Sequence, residues 1–209
     1  MKKDEFELID PIQSQQKPFL VCCVEEPSAR EMLLGVLPRL GLREWEDFQI
    51  MVFQGKQDLE KRLELRLRAW QRPQSVFLIL RDQDSGDCKA VKQGLFWKLM
   101  ASGQTGLVRI ACRELESFYL GDLQAVANAL AIPALAQYQN SRKFREPDNL
   151  NNAKQELQKL TGFHYQEVSG SRQIAALLSL SLDPPINRSH SFQALLQGIL
   201  QLLAQGEKQ

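Results

Sequence analysis

Residues 75–80 constrain the fold more than any other part of this sequence. The run Ser75-Val-Phe-Leu-Ile-Leu80 is continuously apolar after its first residue, which predicts a strand buried on both faces. It leads straight into Arg81-Asp-Gln-Asp-Ser-Gly-Asp87, a cluster of carboxylates and turn formers. The chain therefore becomes acidic at the end of its most clearly buried strand.

Three other segments carry the same strand signal, at residues 18–24, 48–53 and 106–112. Helical patterns separate the strands, and Ser28 with Glu31 forms a capping-box pattern at the first of them. Because strands alternate with helices, and short right-handed crossovers join such units most readily, we expect a mostly parallel sheet.

Beyond residue 118 the pattern changes to helix and loop, with helices predicted at residues 120–131, 153–160, 171–182 and 191–203. The expected class is α/β: a mostly parallel, four-stranded, Rossmann-like sheet flanked by helices, with a helical C-terminal extension. The length fits a single domain. Its expected parts are a polar leader, an α/β core and the helical extension, at residues 1–17, 18–117 and 118–209.

The composition excludes several classes of protein. With 44% apolar and 24% charged residues, the chain is an ordinary globular protein, and its net charge of +1 gives no global basic field for nucleic acid. No apolar run is long enough to cross a bilayer and residues 1–17 lack the core of a signal peptide, so we expect a cytoplasmic location. Isolated cysteines and histidines argue against a zinc site but leave open a cation site made of carboxylates.

Carboxylates follow three of the four predicted strands, as Glu25 and Glu26, Asp82 and Asp84, and Glu114 and Glu116. Open parallel sheets bind ligands outside the carboxyl ends of their strands. Residues two apart in extended backbone point the same way, so Asp82 and Asp84 can present oxygens to one Mg²⁺ or Mn²⁺ ion. Turn chemistry alone explains any one cluster as solvated residues, but it explains three together less well.

The order of these acidic segments resembles the TOPRIM domain of topoisomerases, primases and overcoming-lysogenization-type nucleases. A closer resemblance, over nearly the whole chain, is to the bacterial domain-of-unknown-function family 4276. It is carried by Val24-Glu-Glu-Pro-Ser28, Arg81-Asp-Gln-Asp84, Arg109-Ile-Ala-Cys-Arg-Glu-Leu-Glu116 with Tyr119-Leu-Gly-Asp122, and Asn187-Arg-Ser-His-Ser-Phe192. The resemblance implies a TOPRIM-like fold. It also implies a Mg²⁺-dependent nuclease that works with an AAA or ABC-type ATPase encoded nearby, in bacterial defence or DNA repair.

Carried over residue by residue, the resemblance makes Glu25 the general acid or base and makes Asp82 and Asp84 the metal-binding pair. Glu116 is the expected additional ligand, with Glu114 as its alternative. The implied reaction is phosphodiester hydrolysis, in which cations neutralise the phosphate and activate water while Glu25 moves a proton.

Two positions depart from the TOPRIM pattern, because Glu26 stands where a glycine is usual and Gly86 where a third aspartate is expected. The support for a second metal is correspondingly weaker. Candidate phosphate contacts are basic residues near the acidic segments or in the loop that follows, namely Arg113, Arg142, Lys143 and Arg145. The near-neutral net charge predicts weak nucleic-acid binding by the isolated chain, and no membrane partner is expected.

Two other functions fit the same carboxylates. A receiver-like phosphoacceptor domain also has acidic strand ends, but it needs a lysine after a fifth strand, and no such strand is visible after Glu116. A non-catalytic subunit that binds metal or a partner ATPase is the other alternative, and exposed apolar faces on the last helices would favour it. The sequence does not separate this subunit from a nuclease.

Overall fold

The computed structural model describes residues 17–204, so residues 1–16 of the expected polar leader lie outside the described part, as do residues 205–209. One sheet is formed by β1 (Phe19–Val24), β2 (Phe48–Val52), β3 (Ser75–Asp82) and β4 (Gly106–Ala111). Its strand order is β2-β1-β3-β4, and every pairing is parallel. The predicted α/β class and four-stranded parallel sheet are confirmed.

The central strand β3 is longer than the apolar run predicted. Arg81 and Asp82 continue the strand and lie opposite Ile110 and Ala111 of β4. A polar side chain does not end a strand while its backbone groups still have partners on the neighbouring strand. Asp82 is therefore held by the sheet ladder itself.

Three helices lie between the strands: α1 (Pro27–Val36), α2 (Lys56–Arg68) and α3 (Cys88–Ala101). The predicted capping box at Ser28 is wrong, because Glu26 is the N-cap and Pro27 occupies the first turn. Proline suits that position, where its missing N–H would have no helical partner. Glu31 instead accepts a hydrogen bond from Nε of Arg172 at 2.7 Å.

The extension contains α4 (Glu116–Leu120), α5 (Leu123–Ala129), α6 (Ala153–Leu160), α7 (Glu167–Ala175) and α8 (His190–Ala204), with 3₁₀ turns at Pro133–Asn140 and Pro147–Asn149. The predicted helix 120–131 is in fact split at Gly121, where the chain meets Asn187 closely. A Cβ atom on Gly121 would lie 2.1 Å from Oδ1 of Asn187. Asp122 then caps α5 by accepting from the N–H of Ala125 at 3.0 Å.

The helix expected at residues 171–182 begins and ends earlier, as α7, while α6 has the predicted bounds. The longest helix described, α8, has 15 residues. Within residues 17–204, no helix is both long and apolar enough to cross a bilayer.

Each face of the sheet is covered by its own core. Val24 and Leu80 point into the larger core with α1 and the helices of the extension. Cys23 and Ile79 point into the smaller core with α2 and α3. Because successive residues of a strand alternate between faces, this division continues to the strand ends and sorts the polar residues there.

Candidate functional site

The acidic segments meet at the edge formed by the carboxyl ends of β1, β3 and β4, which are neighbours in the sheet. Glu25 follows β1 directly, Asp82 ends β3, and Glu116 begins α4 soon after β4. Strand alternation places Asp82 on the side of the larger core and its neighbour Arg81 on the side of α2. The carboxylates therefore lie on both faces of the sheet, at the carboxyl ends of its strands.

Asp82 lies among other carboxylates. Its Oδ2 accepts a hydrogen bond from the backbone N–H of Leu115 at 3.1 Å. Burial raises the pKa of Asp82 well above its usual range, and the negative charges of Glu116, Glu25 and Glu26 raise it further. Without a cation, an ionised Asp82 is thus unfavourable at this position.

Glu116 is the more buried of the two glutamates that follow β4, with 4% of its surface exposed. Its Oε1 accepts a hydrogen bond from the hydroxyl of Tyr165 at 2.9 Å. Burial raises the pKa of Glu116 to about 7, although the hydrogen bond from Tyr165 acts in the opposite direction. Glu114 points elsewhere, because its Oε2 accepts from the backbone N–H of Lys154 in the first turn of α6 at 2.8 Å.

Glu25 lies on the α2 side, beside the guanidinium of Arg81. Burial raises the pKa of Glu25 to about 7, and the charges of Asp84 and Glu26 add to this effect, while Arg81 opposes it. Nε of Arg81 lies 3.5 Å from Oε2 of Glu25. Both atoms are buried and neither forms a hydrogen bond within residues 17–204, so the contact between the two side chains is an ion pair without a hydrogen bond.

Arg81 joins several acidic side chains on this face although only 7% of its side chain is exposed. Its Nη1 lies 2.8 Å from Oε1 of Glu60, and its Nη2 lies 3.9 Å from Oδ2 of Asp84. Lys56 pairs with the same oxygen of Asp84 at 2.9 Å. These cations offset part of the negative charge around Glu25.

Asp84 does not continue the extended backbone of β3. The side chains of Asp82 and Asp84 were expected to point the same way only if that backbone continued. The strand ends at Asp82, and Asp84 has a φ of 55°, in the left-handed region. Its backbone N–H donates to the carbonyl of Arg113 at 2.8 Å. In the described conformation the carboxylate of Asp84 therefore contacts Lys56 and Arg81, and its role as a partner of Asp82 in metal binding stays a prediction.

The basic candidates are placed differently from one another. Arg113, with a φ of 65°, fixes the loop beside Asp84 through its backbone. Lys143 is ion-paired with Glu156 of α6. Arg142 and Arg145 are exposed and form no ion pair with any residue of the described chain.

Sequence reasoning missed Arg81, Lys56 and Tyr165 as members of the site. Arg81 had a signal, because strand alternation puts it opposite Asp82 once β3 is known to include both. Tyr165 had none, since it lies 49 residues from Glu116 and follows a loop.

The donor set suits a hard divalent cation, because it consists of carboxylate oxygens with one buried oxygen unpartnered. The side chains do not form a closed coordination shell: no group of three His, Cys, Asp or Glu residues in the part of the chain described is arranged to hold a metal ion. The chemistry of the donors fits Mg²⁺, and the rotamers described leave the shell open.

The four-stranded, all-parallel sheet flanked by helices has a TOPRIM-like α/β fold, which it shares with two solved structures. The chain belongs to the family described as Domain of unknown function (DUF4276), whose sequence model matches residues 24–200. The family resemblance read from the motifs is thus confirmed. No curated protein matches the chain.

Two solved structures share the fold. The C-terminal region of the Burkholderia pseudomallei OLD protein is 14% identical, with a TM-score of 0.54, over 89% of this chain and 97% of that one. The C-terminal region of the Xanthomonas campestris pv. campestris OLD protein is 15% identical, with a TM-score of 0.50, over 91% and 98%. At this level of identity the likeness establishes the fold.

Proposed function

We propose that this protein is a Mg²⁺-dependent nuclease of the TOPRIM type, which hydrolyses phosphodiester bonds of nucleic acid. The observation that carries the proposal is the placement of Asp82 at the end of the central strand, with Glu25, Glu26 and Glu116 close enough to raise its pKa. Carboxylates gathered in this way need either protons or a cation to offset their charge. Such a site takes a phosphate through a bound cation.

The proposed ligands of the cation are Asp82 and Glu116, with Asp84 and Glu25 at its margin. When bound there, Mg²⁺ would neutralise a phosphate group and lower the pKa of a coordinated water. Tyr165 fixes the orientation of Glu116 by donating a hydrogen bond to its Oε1. Glu114 is assigned to the start of α6 rather than to the cation.

Glu25 is the proposed general acid or base. A group that exchanges protons at neutral pH needs a pKa near 7, and burial with neighbouring negative charge gives Glu25 a pKa of about 7. Arg81 lies beside it and can stabilise negative charge that develops on a substrate phosphate. Glu25 directly follows β1, and Arg81 lies near the end of β3, the neighbouring strand.

The proposal includes a partner ATPase, encoded nearby, in a bacterial defence or repair system. Two observations support a partner: both solved relatives are regions of longer proteins, and the net charge of +1 provides little general attraction to nucleic acid. An ATPase that binds nucleic acid would supply the affinity that this chain lacks.

A non-catalytic interaction subunit is the second candidate function. The observation in its favour is an exposed apolar group on α3, where Phe96, Trp97 and Met100 are 41%, 62% and 53% exposed. On the last helices, where this surface was expected, Val168 of α7 and Leu200 of α8 are 43% and 45% exposed. The receiver-like alternative loses support, because the sheet in residues 17–204 has four strands and no fifth.

The proposed activity is tested by incubating supercoiled plasmid and labelled single-stranded DNA and RNA with the protein and Mg²⁺ or Mn²⁺. Wild type is compared with Asp82→Asn, Glu25→Gln and Glu64→Gln, the last a control on the exposed face of α2. Metal-dependent cutting by wild type and Glu64→Gln that is lost in the other two supports the nuclease. Equal cutting by all four preparations would mean a contaminating enzyme and would contradict the assignment of the site.

A further inference from the structure

A second polar site lies beyond the β4 edge of the sheet. Segments 145–149 and 185–193 enclose a cleft of about 310 Å³, a size at the lower end of the range for ligand sites. The chemistry-bearing residues of its lining are Arg145, Asp148, Arg188 and His190. The cleft is separate from the carboxylates described above.

The cleft lies near the same end of the sheet as those carboxylates, because its wall is joined by hydrogen bonds to the residue that follows β4. Asp148, in its wall, accepts a hydrogen bond from the backbone N–H of Ser191 at 2.7 Å. The hydroxyl of Ser191 in turn accepts from the N–H of Cys112, directly after β4, at 3.3 Å. The next residue, Arg113, accepts a hydrogen bond at its backbone carbonyl from the N–H of Asp84 at 2.8 Å. A chain of side-chain and backbone hydrogen bonds therefore joins the wall of the cleft to the acidic edge.

The cationic groups of the cleft are available for an anion. Arg188 donates to the carbonyl of Gln139 at 2.6 Å and to Oδ1 of Asn140 at 2.5 Å, both uncharged acceptors. These contacts hold its guanidinium still and leave further N–H donors free. Arg145 is exposed and makes no ion pair with residues 17–204.

The acidic groups of the cleft are already engaged. Both oxygens of Asp148 accept hydrogen bonds at the N-terminus of α8, from Ser189 at 2.6 Å and from Ser191 at 2.7 Å. The positive end of the helix dipole offsets a charge in that position. Glu146 accepts from Nδ2 of Asn149 at 3.1 Å and is exposed, where solvent screens its charge.

We propose that this cleft binds the phosphodiester backbone of a nucleic-acid strand, with Arg145 and Arg188 donating to phosphate oxygens and His190 beside them. The choice of a nucleic-acid strand rests on the proposed nuclease function, and the cleft then positions the strand that reaches the carboxylates. Of the three basic residues in the loop at 142–145, Arg145 lines the cleft, whereas Arg142 and Lys143 do not. The proposal therefore assigns phosphate binding to Arg145 and not to the other two.

The test is binding of a labelled single strand of about 16 nucleotides, in EDTA and at about 50 mM salt, measured by fluorescence anisotropy. Arg145→Ala and Arg188→Gln should each weaken binding roughly fivefold and reduce the slope of log affinity against log salt by about 0.7. Arg142→Ala, in the same loop, should bind as wild type does. Arg145 is exposed, so its variant keeps the test valid if Arg188→Gln loses its fold.

Wild-type affinity in Arg145→Ala, or no binding by wild type at this salt, would overturn the cleft proposal. ATP added at the same phosphate concentration should compete no better than unlabelled strand, and stronger competition by ATP would overturn it in favour of a nucleotide site. Loss of binding in the arginine variants together with no metal-dependent cutting would support the cleft while contradicting the nuclease. The two proposals therefore fail separately.

Discussion

The hydroxyl of Tyr165 donates a hydrogen bond to Oε1 of Glu116 at 2.9 Å, and both side chains are buried. Tyr165 precedes α7 and Glu116 begins α4, so the bond joins two parts of the extension across the site. A buried hydroxyl without access to water has few alternative partners, which fixes the rotamer of Glu116. In the proposed metal site, Tyr165 is thus a positioning residue.

Replacing Tyr165 with phenylalanine should weaken Mn²⁺ binding by about tenfold, because groups that orient a ligand typically have effects of this size. The cost in unfolding free energy should be about 1 kcal/mol, for one lost hydrogen bond. Calorimetric titration with Mn²⁺ and urea unfolding measure the two effects. Tyr138→Phe is the matched control, since Tyr138 is 43% exposed and should change neither. Unchanged Mn²⁺ affinity in Tyr165→Phe would show that Glu116 does not depend on the tyrosine.

Asp82→Asn should stabilise the metal-free protein at pH 8. The substitution removes a negative charge that burial and three neighbouring glutamates disfavour, while the amide oxygen can still accept from Leu115. The expected gain in unfolding free energy is on the order of 1 kcal/mol, as is common when a functional group is removed from its site. Thermal and urea unfolding in EDTA measure it, with Glu64→Gln as a control that removes one exposed ion pair with Arg68 and should cost less than about 1 kcal/mol. A less stable Asp82→Asn would mean that the surroundings of Asp82 favour its charge.

The stability of the metal-free protein should fall as pH rises from about 5 to about 7. Glu25 and Glu116 have folded-state pKa values of about 7, above their ordinary value of 4.5. The folded state therefore holds more protons than the unfolded chain in this window, so raising the pH favours unfolding there. Urea unfolding across this range should show a smaller slope for the double variant Glu25→Gln/Glu116→Gln. An identical slope would assign the pH dependence to other groups.

Arg81→Met should destabilise the protein by about 3 kcal/mol, because it leaves Glu25 buried without its neighbouring cation. The control is Arg62→Met, which removes a pair with Asp58 in which the arginine is 61% exposed, and it should cost less than about 1 kcal/mol. Urea unfolding at pH 8 measures both. Equal effects for the two variants would contradict the role assigned to Arg81.

Two glycine-to-alanine changes, one where α1 packs on α7 and one on α3, should have opposite effects on the stability of the protein. A Cβ atom on Gly35 would lie 2.6 Å from Cβ of Ala175, so Gly35→Ala should destabilise the protein by about 1–3 kcal/mol. A Cβ atom on Gly94 of α3 meets no heavy atom within 4 Å, so Gly94→Ala should stabilise by up to about 1 kcal/mol. Thermal unfolding of the two variants should shift in opposite directions. A Gly35→Ala variant at least as stable as wild type would show that α1 and α7 can move apart.

The sheet was predictable from sequence because continuous apolar runs signal doubly buried strands, and four such runs gave four strands. The break at Gly121 and the earlier bounds of α7 were not predictable, because tertiary contacts decide them, whereas α6 has the predicted bounds. Gly121 breaks the expected helix where it meets Asn187, a residue far along the chain. Local helical periodicity carries no information about such a contact.

The closeness of Glu25, Asp82 and Glu116 was predictable from sequence, but the neighbouring side chains and their orientations were not. Parallel strands bring their acidic ends together, so Glu25, Asp82 and Glu116 follow from topology alone. The turn of Asp84 toward Lys56 depends on a left-handed φ and an ion pair with another segment, which no local pattern indicates. The same holds for the hydrogen bond from Tyr165.

Calorimetric titration of the folded protein with Mn²⁺, for wild type and Asp82→Asn at pH 8, tests the central claim most directly because it requires neither substrate nor partner. Wild type and the Glu64→Gln control should bind Mn²⁺ saturably, and Asp82→Asn should not bind it. Folded wild type that binds no Mn²⁺, or Asp82→Asn that binds it equally well, would contradict a metal site at the end of the central strand.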